Sequence, residues 1–175
     1  MSTTEPLRIL IAAVHYPVAS GRFLGRALKR LGHEVRTAGP CTGNHIWGMQ
    51  VNSRYVWTPT YLTDFEAFPP VEQLLALDHW IPDLIITADS AFTLLGPAPC
   101  PHICVGQDNH VRDYKLRDFD ALFLCHTWGA RMGELNVYWM PPCCDPEMCF
   151  DMGLERDIDV AMVGYPYPER VSLVE

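Results

Sequence analysis

The chain has 175 residues, 49% of them apolar and 19% charged, with a formal net charge of −8. That balance suits one globular domain, or one domain and the beginning of a second, and excludes a disordered or fibrous chain. Eleven arginines and two lysines do not offset the acidic residues, which argues against nucleic acid or an anionic membrane as partner, because both require clustered positive charge.

In chain order, residues 8–14 (RILIAAV) form a continuous aliphatic run. It is short and has no period-two alternation, which predicts a central parallel strand covered on both faces. The loop HYPVASG follows. From Gly21 to Leu31 the apolar residues Phe23, Leu24, Ala27, Leu28 and Leu31 recur at helical spacing, with Arg22, Arg26, Lys29 and Arg30 on the other face. Ser20 is the expected N-cap and Gly32 the left-handed residue that ends the helix. His33–Ala38 reads as a second strand closed by Gly39-Pro40, completing a β-α-β unit.

Residues 41–59 lack periodicity and read as a long loop, with Arg54–Thr58 a candidate strand. Pro69 and Pro70 introduce a helix from Val71 to about His79. Short buried-strand patterns then recur at 83–88, 101–106, 119–125, 137–140 and 159–164. Strands alternating with helical stretches predict an α/β, Rossmann-like, doubly wound and mostly parallel sheet in three α/β/α layers. No apolar run reaches the length of a membrane span. The start, Met-Ser-Thr-Thr-Glu-Pro, carries no secretory leader, and seven cysteines scattered in or beside apolar runs fit free buried thiols. A cytoplasmic location is expected.

In such sheets ligands sit outside the carboxyl ends of the strands. Those positions hold His15-Tyr16, Asp89-Ser90, Gln107-Asp108-Asn109-His110 and His126-Thr127-Trp128-Gly129. Histidine or aspartate there supplies a general base for a hydroxyl, and the remaining polar groups suit the hydroxyls of a sugar-like ligand. Trp128 is an aromatic able to stack on a sugar face. The same residues also serve as helix caps and loop hydrogen-bond partners in a purely structural reading. Cys143, Cys144 and Cys149 lack zinc-ligand spacing, so no metal is expected. Neither GxGxxG, GxxxxGK[ST] nor GxSxG occurs, which disfavours dehydrogenase, P-loop and hydrolase readings and predicts no cofactor.

The stretch RILIAAVHYP…GRFLGRALKRLGHEVRTAGP resembles the opening of GT-B glycosyltransferases. The segment VYWMPPCCDPEMCFDMGLERDIDVAMVGYPYPERVSLVE resembles their interdomain crossing: a proline pair, D-P-E, then a D-V-A-x-V-G strand followed by tyrosine and E-R. The nearest group is the CgeB-like spore-maturation glycosyltransferases, in which an aspartate has neighbours like those around Asp108. The resemblance implies an N-terminal, acceptor-side domain over 1–142, a linker over 143–157, and the first strand and helix start of a second domain over 158–175.

It further implies sugar transfer from a nucleotide sugar to an acceptor hydroxyl of unknown type, without a metal. The nucleotide sugar is bound only with a second domain, so the chain alone is not expected to turn over. Asp108 or His15 is the expected base, with Asp89, Ser90, Asn109, His110, His126 and Trp128 lining the acceptor cleft. The apolar Val160–Val163 must be covered, by the edge of the N-terminal sheet or by a second copy in a homodimer. The alternative is a non-catalytic Rossmann-like binding or assembly module.

Overall fold

The computed structural model describes residues 5–16, 19–41, 45–46, 49–50, 58–64, 70–76, 78–88, 96–107, 119–125, 136–141, 145–147, 151–153 and 155. The chain divides into two units, Met1–Asp145 and Pro146–Glu175. In the second, the Gly153 N–H donates to Asp151 Oδ1 at 2.9 Å. The 159–164 strand pattern, Val160–Val163 included, lies outside the described residues.

The first unit is built on β1 (Arg8–Ala12), α1 (Ser20–Arg30), β2 (Glu34–Gly39), β3 (His45–Ile46), β4 (Met49–Gln50), β5 (Tyr61–Leu62), α2 (Val71–Leu75), β6 (Leu84–Ala88), β7 (His102–Gly106), β8 (Ala121–Leu124) and β9 (Val137–Trp139). Seven strands form one sheet in the order β5-β2-β1-β6-β7-β8-β9, and every neighbouring pair is parallel. The fold is Rossmann-like. No helix among the described residues is long and apolar enough to cross a membrane.

The two-faced burial of β1 explains its composition. Ile9, Ile11 and Ala13 join Val35, Ile86, Ala88 and Val105 in one cluster, against which Leu24 and Leu28 of α1 pack. Leu10, Ala12 and Val14 join Ala38, Ile85 and, from α2, Val71 and Leu74 in the other. Alternate residues thus feed opposite layers, and neither face tolerates a polar side chain. A third cluster, Cys104, Leu122, Leu124 and Val137, continues the core toward β9.

Three local expectations are corrected. Ser20 lies inside α1, and Ala19 is the N-cap, with no side-chain cap bond. A methyl fits here because Ala19 is buried and its carbonyl accepts the Arg22 N–H at 3.0 Å. The helix after Pro70 stops at Leu75, short of His79. His79 adopts φ +56, and Asp78 Oδ1 accepts the Trp80 N–H at 3.2 Å, turning the chain so that Trp80 enters the core. Residues 41–59 are not wholly loop, because β3 and β4 pair antiparallel. Of the candidate strand 54–58 only Thr58 is described, and it is not in a strand. The predicted end of α1 is borne out: Gly32 follows the Leu31 C-cap with φ +93.

Polar contacts fix the layers. Thr37 and Thr60 exchange backbone-to-hydroxyl bonds of 3.1 Å each, seating β5 beside β2. The Arg36 guanidinium meets Tyr61, Asp78 and Glu34 and lies 4.5 Å above the Trp80 ring, whose Nε1–H donates to Glu34 at 2.7 Å. His102, at the start of β7, shares a 2.8 Å hydrogen bond with Thr87 of β6. Asp145, from the D-P-E segment, has its carboxylate buried between Arg26 at 3.1 Å and Arg30 at 3.0 Å, one helical turn apart on α1.

The Asp145 pairing is unequal, because its carboxylate is 1% exposed and the arginines about a third exposed. An arginine that loses its partner rehydrates, whereas a buried carboxylate that loses its cations does not. Replacing both Arg26 and Arg30 by alanine should therefore cost about 3 kcal/mol or more, and Asp145→Asn only about 1 kcal/mol. Urea unfolding of the two variants measures this. Equal losses would contradict the assigned asymmetry.

Candidate functional site

Because all seven strands run the same way, their carboxyl ends share one rim. The strand order reverses between β1 and β6: β1 leads outward to β2 and β5, and β6 leads the other way to β7, β8 and β9. A reversal of this kind opens a crevice at the rim, where open α/β sheets bind ligands. The floor of that crevice is the segment after β1.

Two glycines let the backbone close there. A Cβ on Gly21, in the first turn of α1, would lie 2.8 Å from Ala13 Cβ and 3.6 Å from Ala88 Cβ, so the helix start packs directly onto β1 and β6. Gly39 has φ +143, and a Cβ there would lie 1.8 Å from the Ala13 carbonyl oxygen. No side chain is compatible with that approach. Beside it, the Ala13 N–H donates to the Ala38 carbonyl at 3.0 Å and the His15 N–H to the Pro40 carbonyl at 2.8 Å. The β1–β2 pairing thus continues past the ends of both strands, with a final parallel bridge at His15 and Cys41.

His15 is consequently fully buried. Its ring nitrogen Nε2 lies 3.1 Å from the Ala38 carbonyl. A carbonyl only accepts, so Nε2 carries the proton and Nδ1 carries the basic lone pair. Burial pushes the imidazole below its ordinary value of 6.5, against the opposing pull of the Ala38 carbonyl. The ring is neutral at pH 7, the protonation state a base requires, but it is enclosed by protein.

His15 is the expected site residue that the structure describes, and it stands on the floor of the crevice. Asp89 and Ser90 follow Ala88, the last residue of β6. Asp108, Asn109 and His110 follow Gln107, and His126 and Trp128 follow Cys125. All seven lie outside the described residues. Their described neighbours Ala88, Gln107 and Cys125 are at the rim, on three successive strands.

Sequence reasoning missed two rim residues. Arg22, placed by helical spacing on the outer basic face, is buried at 8% exposure. It sits in the first turn of α1, next to Gly21, whose close contact with Ala13 draws the helix start onto the sheet. Trp139, read only as part of a short strand, is 52% exposed at the end of β9, the last strand in the sheet order among the described residues. Its signal was the Pro141-Pro142 stop, one residue beyond it after Met140, which places it near a strand end. Among the described residues no three His, Cys, Asp or Glu side chains group so as to hold a metal ion. Cys41, Cys100, Cys104 and Cys125 are in no disulfide among the described residues.

Compared with known proteins, the chain matches no family model, no curated protein and no solved structure.

Two outcomes follow from this geometry. Gly39→Ala meets backbone on a path that cannot yield, so it should destabilise the protein by about 3 kcal/mol or more, read as a lower urea midpoint. Burial also lowers the pKa of His102, and with His15 this makes the fold acid-sensitive. Both histidines bind protons more readily unfolded than folded, so their stabilisation is complete above 6.5 and declines as pH falls below it. The melting temperature should drop between pH 7 and 5, and His15→Gln or His102→Gln should each flatten that slope. A wild-type melting temperature independent of pH across this range would refute the assignment.

Proposed function

We propose that this chain is the acceptor-side half of a glycosyltransferase of the GT-B kind, with the acceptor hydroxyl received in the crevice between β1 and β6. The observation that carries the reading is the reversal of strand order at β1, floored by the close packing of Gly21, Gly39 and His15. The resemblance of RILIAAVHYP…GHEV and of the D-P-E crossing supplies the reaction class.

In this reading Asp108 is the general base. It is the residue after Gln107, which is exposed where β7 ends at the rim. Its carboxylate takes the proton of the acceptor hydroxyl as that oxygen bonds to the anomeric carbon of the donor sugar. The bond from that carbon to the phosphate oxygen breaks, and the nucleoside diphosphate leaves with the electron pair. His15 acts as a positioning residue: tied to the Ala38 carbonyl, it holds the crevice floor in register and does not itself reach the acceptor. The donor nucleotide is assigned to a second α/β domain.

The full burial of His15 also suits a non-catalytic module that keeps the scaffold without chemistry. Transfer from UDP-, GDP- and dTDP-sugars to a panel of hydroxyl acceptors separates the two readings. The 175-residue chain alone should show no turnover. Joined to its donor-binding domain it should transfer, and Asp108→Ala should lower kcat by about 100-fold or more. Robust transfer by the chain alone would refute the half-enzyme assignment, unchanged transfer by Asp108→Ala would remove Asp108 as the base, and no transfer by the joined protein would favour the non-catalytic module.

A further inference from the structure

We propose that Trp139 is a stacking platform for one sugar ring of an extended oligosaccharide, bound along the same rim with its reacting end in the β1–β6 crevice. The inference rests on the acceptor-side reading above and deepens it by naming the acceptor class.

Indole has one polar group, its N–H, and buried or exposed tryptophans arrange themselves around satisfying it. In Trp139 that group donates inward, to the Cys125 carbonyl at 3.1 Å. The ring therefore has no polar reason to meet water, yet the residue stays 52% exposed. What it presents is aromatic carbon, held in one orientation by the bond to the first residue beyond β8. The strand that carries it is held on both faces: on the face opposite Trp139, the neighbouring Tyr138 stacks on Phe123 of β8, with centroids 5.2 Å apart and planes 23° from parallel. A fixed, exposed indole complements the C–H face of a pyranose, which is apolar although its rim is hydroxylated.

The surroundings fit such a ring. Gln107, exposed at the end of β7, is two strands in from Trp139 on the same rim. Its amide both donates and accepts, as hydroxyls require. Spacing then selects the length of the ligand. Four strand intervals separate β1 from β9, which at the usual inter-strand distance is about 19 Å. One sugar ring cannot touch both ends, whereas a chain of several rings can. The acceptor assigned here is thus an oligosaccharide, with the monosaccharide held poorly.

Calorimetric titration of the chain with cello-, malto- and chito-oligosaccharides of increasing length tests this. At least one series should bind, with affinity rising with the number of rings. Trp139→Ala should weaken the long members by about tenfold or more and leave the monosaccharide unchanged, while Trp139→Phe keeps most of the affinity. If Trp139→Ala does not fold, Trp139→Leu, which keeps apolar bulk without an aromatic face, should show the same loss. Binding of none of the three series, or equal affinity in wild type and the Ala or Leu variant, would overturn the proposal. So would a dimer in sedimentation that either variant dissolves, since the exposed ring would then be a contact between copies. Trp139-dependent binding without sugar transfer by the chain joined to a donor-binding domain keeps the platform and removes the transferase reading. The opposite pair of results removes the platform alone.

Discussion

The structure depends on one strand being enclosed from four sides. β1 has a helical layer on each face and a hydrogen-bonded neighbour along each edge, with Ile9–Ala12 paired to Val35–Ala38 on one side and to Leu84–Thr87 on the other. Each surrounding element is constrained by that enclosure. α1 begins with a residue that has no Cβ at its point of contact, and β2 ends in a glycine that takes a conformation and an approach closed to any other residue. Even the exposed start of β1 is tied down: the Arg8 guanidinium pairs with Asp83 at 2.9 Å, and the Asp83 N–H returns a 2.7 Å bond to the Arg8 carbonyl.

Enclosure of β1 also decides what its end can do. Where the strand finishes, the pairing with β2 runs on through Ala13 and His15, and the histidine ring is drawn inward onto the Ala38 carbonyl. A histidine that looks in the sequence like a residue presented at a strand end becomes part of the floor. The exposed side chains described at the rim on the other side of the reversal are Gln107 after β7 and Trp139 at the end of β9.

Much of the fold was legible because its signals are local. The RILIAAV run, the helical spacing of Leu24 and Leu28, and Gly32 in the left-handed position each report on a few neighbouring residues. The unread parts depend on distant ones. β5 is two residues long and exists through the Thr37–Thr60 exchange, 23 residues apart. Helical periodicity, which places Arg22 with the basic residues of the outer face, cannot show that it is buried. The hydroxyl of Ser20 signalled a cap that the chain instead makes at Ala19. For the site, strand-end logic found the rim, and His15 stands on it. That its ring would be enclosed requires knowing that Gly39 permits the Ala13 contact, a fact no spacing encodes.

The register of β1 carries a consequence for how the protein is made. Its partner on one edge comes 26 residues later, at Glu34, but its partner on the other begins at Leu84, 75 residues after Ile9. During synthesis the first strand emerges early and can zip only to β2, leaving its other edge unpaired until β6 has been translated. Loop-closure entropy makes that second pairing the slower one. For that interval the nascent chain displays an aliphatic strand with an open hydrogen-bonding edge, the kind of surface that recruits other strands. A strand so fully enclosed in the finished molecule is thus the most hazardous segment of the unfinished one.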